Sequence, residues 1–238
     1  MVLAPNPYVL DEKKVAIFVP KYNTTKPDAT GAFHPEAKAF CKFWHVPQSR
    51  INYLDNKKGR YDLAEDFLDA MQSYAKQGET IEDWILFCHG YTHGVQFGIR
   101  SPGHKNFNAR DREQFERFIS YMNPRNVNLI LFACSTGDDP DGDSDTAPGS
   151  GDGSFGDLVR DALVSNGGSH VRVLSHTTAG HTTGNPFIKL FEDDQLEGGQ
   201  LIAPPFTPEF KKLQSKLKTS FRFLLPFLPV EEIRKQLQ

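Results

Sequence analysis

The chain has 238 residues, 24% of them charged and 38% hydrophobic, with a net charge of −3. That balance fits a globular protein with enough chain for one α/β domain, and the absence of a basic stripe argues against a nucleic-acid binder. No apolar run reaches transmembrane length. Residues 1–10 lack the basic-then-apolar order of a cleavable signal peptide, and three cysteines (Cys41, Cys88, Cys134) make no disulfide framework. The expected location is therefore the cytoplasm, or outside the cell by export without such a peptide.

Taken in order, Val15 to Val19 reads as a first strand ended by Pro20. Pro35 to Trp44 reads as a helix with Pro at its first position. Ile51 to Leu54 is a short strand. Tyr61 to Gln77 is an amphipathic helix, with Leu63, Phe67, Leu68 and Met71 on one face and Gly78 ending it. Ile81 to Cys88 is an apolar strand closed by His89-Gly90, and Gly94 to Ile99 alternates like a small hairpin extension. Asn108 to Met122 is helical. Val127 to Ala133 is a second apolar strand closed by Cys134-Ser135-Thr136-Gly137. An acidic, turn-rich stretch follows, with Asp138, Asp139, Asp141, Asp143, Asp145 and Asp152. Ser154 to Asn166 is a short helix, Val171 to Leu174 a fifth strand and Phe187 to Phe191 a sixth. Strands alternating with helices predict a three-layer α/β/α sandwich on a mostly parallel, six-stranded sheet. Residues 1–206 are expected to form this domain. Residues 207–238 carry seven Lys or Arg against three Glu and read as a basic amphipathic helical tail. The tail either packs on the domain or touches a partner or a membrane surface.

The two apolar strands frame the chemistry. Strand, helix, strand with a right-handed crossover makes them parallel neighbours, so both carboxyl ends open on the edge where α/β sheets place their sites. His89 and Cys134, 45 positions apart, then meet there. A thiol attacks an acyl carbon as thiolate, and a neighbouring imidazole supplies the base. Backbone N–H groups of Gly90 and Cys134, on tight turns at the strand ends, would face the oxyanion. Cys88 precedes His89 and so points to the opposite face of its strand, into the core.

This pair of strands, ending in His-Gly and Ala-Cys with a helix between, resembles the caspase-like cysteine peptidases, which include caspases, metacaspases, legumains, gingipains and separases. The resemblance spans roughly Val15 to Leu174. It implies a caspase-like sheet and hydrolysis of protein or peptide substrates, with His89 as general base and acid, Cys134 as nucleophile and Gly90 as oxyanion donor; that chemistry needs no cofactor. Phe132 stands where caspases have Gln and metacaspases Asp, and Ser135-Thr136-Gly137 replaces the family's usual residues after Cys. The resemblance also implies that Lys21, Asp138, Asp139 and His176 line the subsite for the residue before the cut. Lys21 suits an acidic side chain there and the aspartates a basic one.

Three rival readings accompany this one. Zinc could be held by His89, His93 and Cys134 with His176 or His181, although Gly90 and the turn signals argue against a helical His-x-x-x-His. The acidic stretch offers alternating oxygens to calcium but lacks the closing glutamate of an EF-hand. A non-catalytic caspase-like scaffold would keep the pair behind a closed pocket. Ser135 and Ser175 lack the Gly-x-Ser-x-Gly elbow of a serine hydrolase.

Overall fold

The computed structural model describes residues 10–20, 33–54, 63–97, 107–122, 125–138, 151–177, 188–193 and 198–202. Lys21, Asp139, His181 and the 207–238 tail lie outside them. The main sheet contains β1 (Val15–Pro20), β2 (Ile51–Leu54), β3 (Asp83–Phe87), β7 (Val127–Phe132), β8 (Val171–His176), β9 (Ile188–Glu192) and β10 (Gln200–Ile202), in the order β10-β9-β8-β7-β3-β1-β2. The first five of these strands in chain order run parallel, β9 runs antiparallel to β8, and β10 runs antiparallel to β9. The six expected strands are thus present, and a three-residue seventh extends the edge beyond β9.

Alternation along the buried strands sorts the core into two faces. Ala16, Phe18, Trp84, Leu86, Leu129, Leu131 and Val173 share one cluster with α2 (Leu63–Lys76), α3 (Arg112–Ser120) and α4 (Phe155–Ser165). Val15, Ile17, Val19, Ile85, Phe87, Ile130 and Phe132 share the other with α1 (Phe33–Trp44). The result is helix, sheet, helix. In α2 the buried positions Ala64, Phe67, Leu68 and Met71 follow the helical repeat. The chain leaves that helix through Gly78, whose φ of +70° suits glycine. Helix α1 starts two residues before Pro35, which therefore sits inside the first turn; its missing N–H costs nothing there, because that N–H would have no helical acceptor.

A second, small sheet joins β4 (His89–Tyr91), β5 (Gly94–Gln96) and β6 (Phe107–Asn108), all antiparallel. The expected hairpin extension is this sheet, but its first strand begins at His89 itself. Aromatic rings hold it down. Phe97 lies 4.7 Å from Phe67, and Phe107 lies 4.9 Å from Phe118 and 5.9 Å from Phe155. These rings tie the segment that follows His89 to all three helices of that face.

Asp83 opens β3 at the end remote from His89. It is 5% exposed, and Asn128 Nδ2 donates to its Oδ1 at 2.9 Å. Burial pushes its carboxyl up to about 6, with Glu82 and Asp11 adding and Asn128 and Lys14 opposing. A carboxyl with a folded pKa above its unfolded value takes up a proton on folding, so stability falls as pH rises from about 4 to about 6. Asp83→Asn keeps an acceptor for Asn128 and removes that decline. The variant gains on the order of 2 kcal/mol at neutral pH and nothing near pH 4; urea midpoints at the two pH values check it.

Candidate active site

Strands β3 and β7 pair in register from Asp83 with Asn128 to Phe87 with Phe132. The rings of that last pair stack at 4.5 Å, a contact worth about 1 kcal/mol beyond its buried area. Two chains locked side by side this far leave the sheet as neighbours. The Cys88 N–H still reaches Phe132 O at 3.3 Å. Two residues on, Gly90 touches the Cys134 turn directly. A Cβ at Gly90 would sit 2.4 Å from the Cys134 carbonyl oxygen and 2.8 Å from both Ala133 Cβ and Thr136 Cγ2. Gly90 is therefore a strand residue paired with Val95, not the tight turn its sequence suggested, and glycine is needed there for close approach.

His89 packs its ring edge-on against Phe33 at 5.0 Å, on the α1 side of the sheet. It is half-buried, as is Cys134. The thiols differ sharply in access. Cys41 is 1% and Cys88 0% exposed, so Cys134 is the thiol that solvent reaches. Burial pushes the Cys41 thiol up to about 11. Burial also pushes the Cys88 thiol up, with Cys134 adding to the rise. Both buried thiols are chemically inert core residues.

The turn carrying Cys134 is tightly wound. Ser135 adopts φ +52°, a left-handed backbone that a non-glycine residue holds only when its surroundings enforce it. The enforcement is visible. Thr136 Oγ1 donates to Ala133 O at 3.3 Å, Gly137 N–H to His176 O at 2.9 Å, and Asp138 N–H to Ser135 O at 3.4 Å. The first turn of α4 adds two more bonds, from Phe155 N–H to Thr92 O at 2.7 Å and from Gly156 N–H to Thr136 O at 2.8 Å. Ser154 caps that helix, its Oγ accepting from Asp157 N–H, while Asp157 accepts from Gly153 N–H. The sequence signal for this cap, Ser-x-x-Asp opening an apolar run, was available. What periodicity did not reveal is that the capped end reaches both site segments.

The remaining expected residues divide. Asp138 is half-buried at the end of the Cys134 turn. Strand β8 extends to His176, whose side chain is buried and lies 6.2 Å from the Phe132 ring. His176 thus stands beneath the site, where its carbonyl anchors Gly137, and not on an exposed loop. His93 lies in the turn between β4 and β5, so His89 and His93 share a hairpin, not a helix. Arg110 Nη2 is 2.8 Å from His93 Nε2. Burial, then the Arg110 charge, pushes the His93 pKa down. Among the described residues no three His, Cys, Asp or Glu side chains are grouped to hold a metal ion, and no helix among them is long and apolar enough to cross a membrane.

Asp157 and Arg160 form a buried ion pair on α4 through Oδ1 and Nη2. Arg160 Nη1 also donates to Glu192 O at 3.1 Å and Gly198 O at 3.4 Å, which pins α4 to the edge of the sheet. Burial pushes the Asp157 carboxyl up to about 6, against the pull of Gly153 N–H and Arg160. Comparison with protein-family models, curated proteins and solved structures finds no match.

Proposed function

We propose that this chain is a caspase-like cysteine peptidase that cuts peptide bonds with His89 and Cys134. The observation that carries the reading is the contact of Gly90 with the Cys134 carbonyl. It puts a histidine and the accessible thiol on adjoining ends of paired central strands. Several features support it further. The left-handed Ser135 is the kind of strain that functional turns hold, and the strand order sets both groups at the carboxyl edge of a mostly parallel sheet.

In this reading His89 takes the thiol proton, and Cys134 Sγ attacks the scissile carbonyl carbon. The oxyanion forms between the N–H groups of Gly90 and Cys134. His89 returns the proton to the leaving amine, and water then hydrolyses the thioester with His89 again as base. Substrates are proteins or peptides. Lys21, Asp138 and Asp139 are the residues proposed to choose the side chain before the cut.

The test is labelling of the native protein with peptidyl electrophiles carrying acidic, basic or apolar residues before the warhead, followed by mass mapping. The expected result is adduct at Cys134 alone, about a hundredfold slower in His89→Ala, with one peptide class preferred. Equal rates in the two proteins, or adduct spread over Cys41 and Cys88, would sink the proposal.

A further inference from the structure

Resting on the His89–Cys134 reading, we propose that Asp157 is a positioning residue for that pair, acting through the first turn of α4. The first N–H groups of a helix have no partner inside it. Here two of them hold the site. Phe155 N–H binds Thr92 O, in the turn three residues beyond His89, and Gly156 N–H binds Thr136 O, two residues beyond Cys134. One helix end thus grips both segments. A shift of that end moves the hairpin and the Cys134 turn together or separates them.

Asp157 fixes where the helix end lies. Its Oδ2 accepts from Gly153 N–H at 3.0 Å, and its own N–H donates to Ser154 Oγ at 3.4 Å, so each side of the cap braces the other. Its Oδ1 accepts from Arg160, whose other nitrogens reach the carbonyls of Glu192 and Gly198 and the carboxylate of Asp161. The cap is thereby tied to the β9 edge. Behind it there is no slack, since a Cβ on Gly156 would lie 2.4 Å from the buried Ser175 Oγ. An exposed serine cap would serve the helix alone. A carboxylate 1% exposed is far costlier to place, and what it adds is a fixed position for Phe155 and Gly156.

The test compares wild type, His89→Ala, Asp157→Asn, Asp157→Glu, Ser154→Ala and Leu163→Ala. Leu163 is a buried core residue of α4 away from the cap. The readouts are the pH profile of Cys134 alkylation by iodoacetamide, hydrogen exchange of segments 89–96 and 133–138, and Tm, all taken where each variant is folded by near-ultraviolet circular dichroism. Asp157→Asn should slow His89-dependent alkylation about tenfold, as expected for a pair moved by a fraction of an ångström, and speed exchange in both segments. Asp157→Glu should recover part of the rate. Leu163→Ala should lose Tm with the wild-type rate and profile. Asp157→Asn that loses Tm yet alkylates as wild type overturns the inference and leaves the dyad standing. If Asp157→Asn does not fold, Ser154→Ala decides: a slowed rate supports the inference and an unchanged one overturns it. Wild type and His89→Ala reacting alike would overturn the dyad, and the inference with it.

Discussion

Gly90→Ala is expected to end the reaction at Cys134 and to cost about 3 kcal/mol of stability, the upper part of the range for forcing a methyl into a filled space. The clash is with backbone. The new Cβ would stand 2.4 Å from the Cys134 carbonyl oxygen, an atom that no rotamer change can move away. Relief comes only by parting β4 from the Cys134 turn, which separates His89 from the thiol. A displacement of about 1 Å in such a pair costs on the order of a hundredfold in rate. Gly78→Ala is the matched comparison. Its φ of +70° makes alanine strained, but nothing lies within 4 Å of the new methyl. It should lose about 1 kcal/mol and label at the wild-type rate. Thermal denaturation and electrophile labelling of the two variants provide the check. A Gly90→Ala protein that labels Cys134 normally would rule out the close approach as a requirement.

Arg160→Met is expected to cost about 3 to 5 kcal/mol, the usual penalty for removing one partner of a buried ion pair. Arg160 is fully buried and its neighbour Asp157 nearly so. Methionine replaces the apolar stem and leaves the carboxylate with Gly153 N–H alone, while the Glu192 and Gly198 carbonyls lose their donor. The pH dependence has a definite sign. The Asp157 carboxyl already lies raised, at about 6, with the Arg160 charge holding it down. Without that charge it rises further. The deficit is then largest above the raised pKa, where Asp157 must be ionised, and shrinks as pH falls and the carboxyl takes a proton. Adding Asp157→Leu should return part of the loss, because it removes the stranded charge. Urea midpoints near pH 5 and near pH 7.5 measure this. A deficit under about 1 kcal/mol, or one flat with pH, would show that the pair is not the anchor described.

Much of the architecture was legible because the buried parallel strands announce themselves. Trp84 to Phe87 and Leu129 to Phe132 are continuous apolar runs, and such runs belong in the middle of an α/β sheet. Helix α2 was equally plain from its 3.6-residue repeat. The parallel pairing of the strands that end at His89 and Cys134 followed from the strand-helix-strand order and its right-handed crossover. What the sequence hid was of another kind. Strand β10 is three residues long and takes its identity from pairing with β9, which no local pattern records. Ser175 and His176 look like polar loop residues, yet tertiary packing draws them into β8 and buries both. The contact at Gly90 depends on where two backbones cross, and a glycine in isolation says only that something lies close. The grip of α4 on Thr92 and Thr136 uses backbone N–H groups, which every residue but proline possesses and no side-chain motif can mark.

Strand β3 is also a seam. On one side lie β1 and β2, built from the chain before it; on the other lie β7 to β10, built from the chain after it. The histidine belongs to the first half and the cysteine to the second. A nascent chain that has emerged only through β5 carries His89 without Cys134, and the second half alone carries Cys134 without His89. In the proposed reading, reactivity requires the pairing of β3 with β7, from Asp83 against Asn128 to Phe87 against Phe132. If His89 and Cys134 form the proposed pair, synthesis and folding themselves act as its safety catch, since a chain that lacks either half lacks one of the two groups.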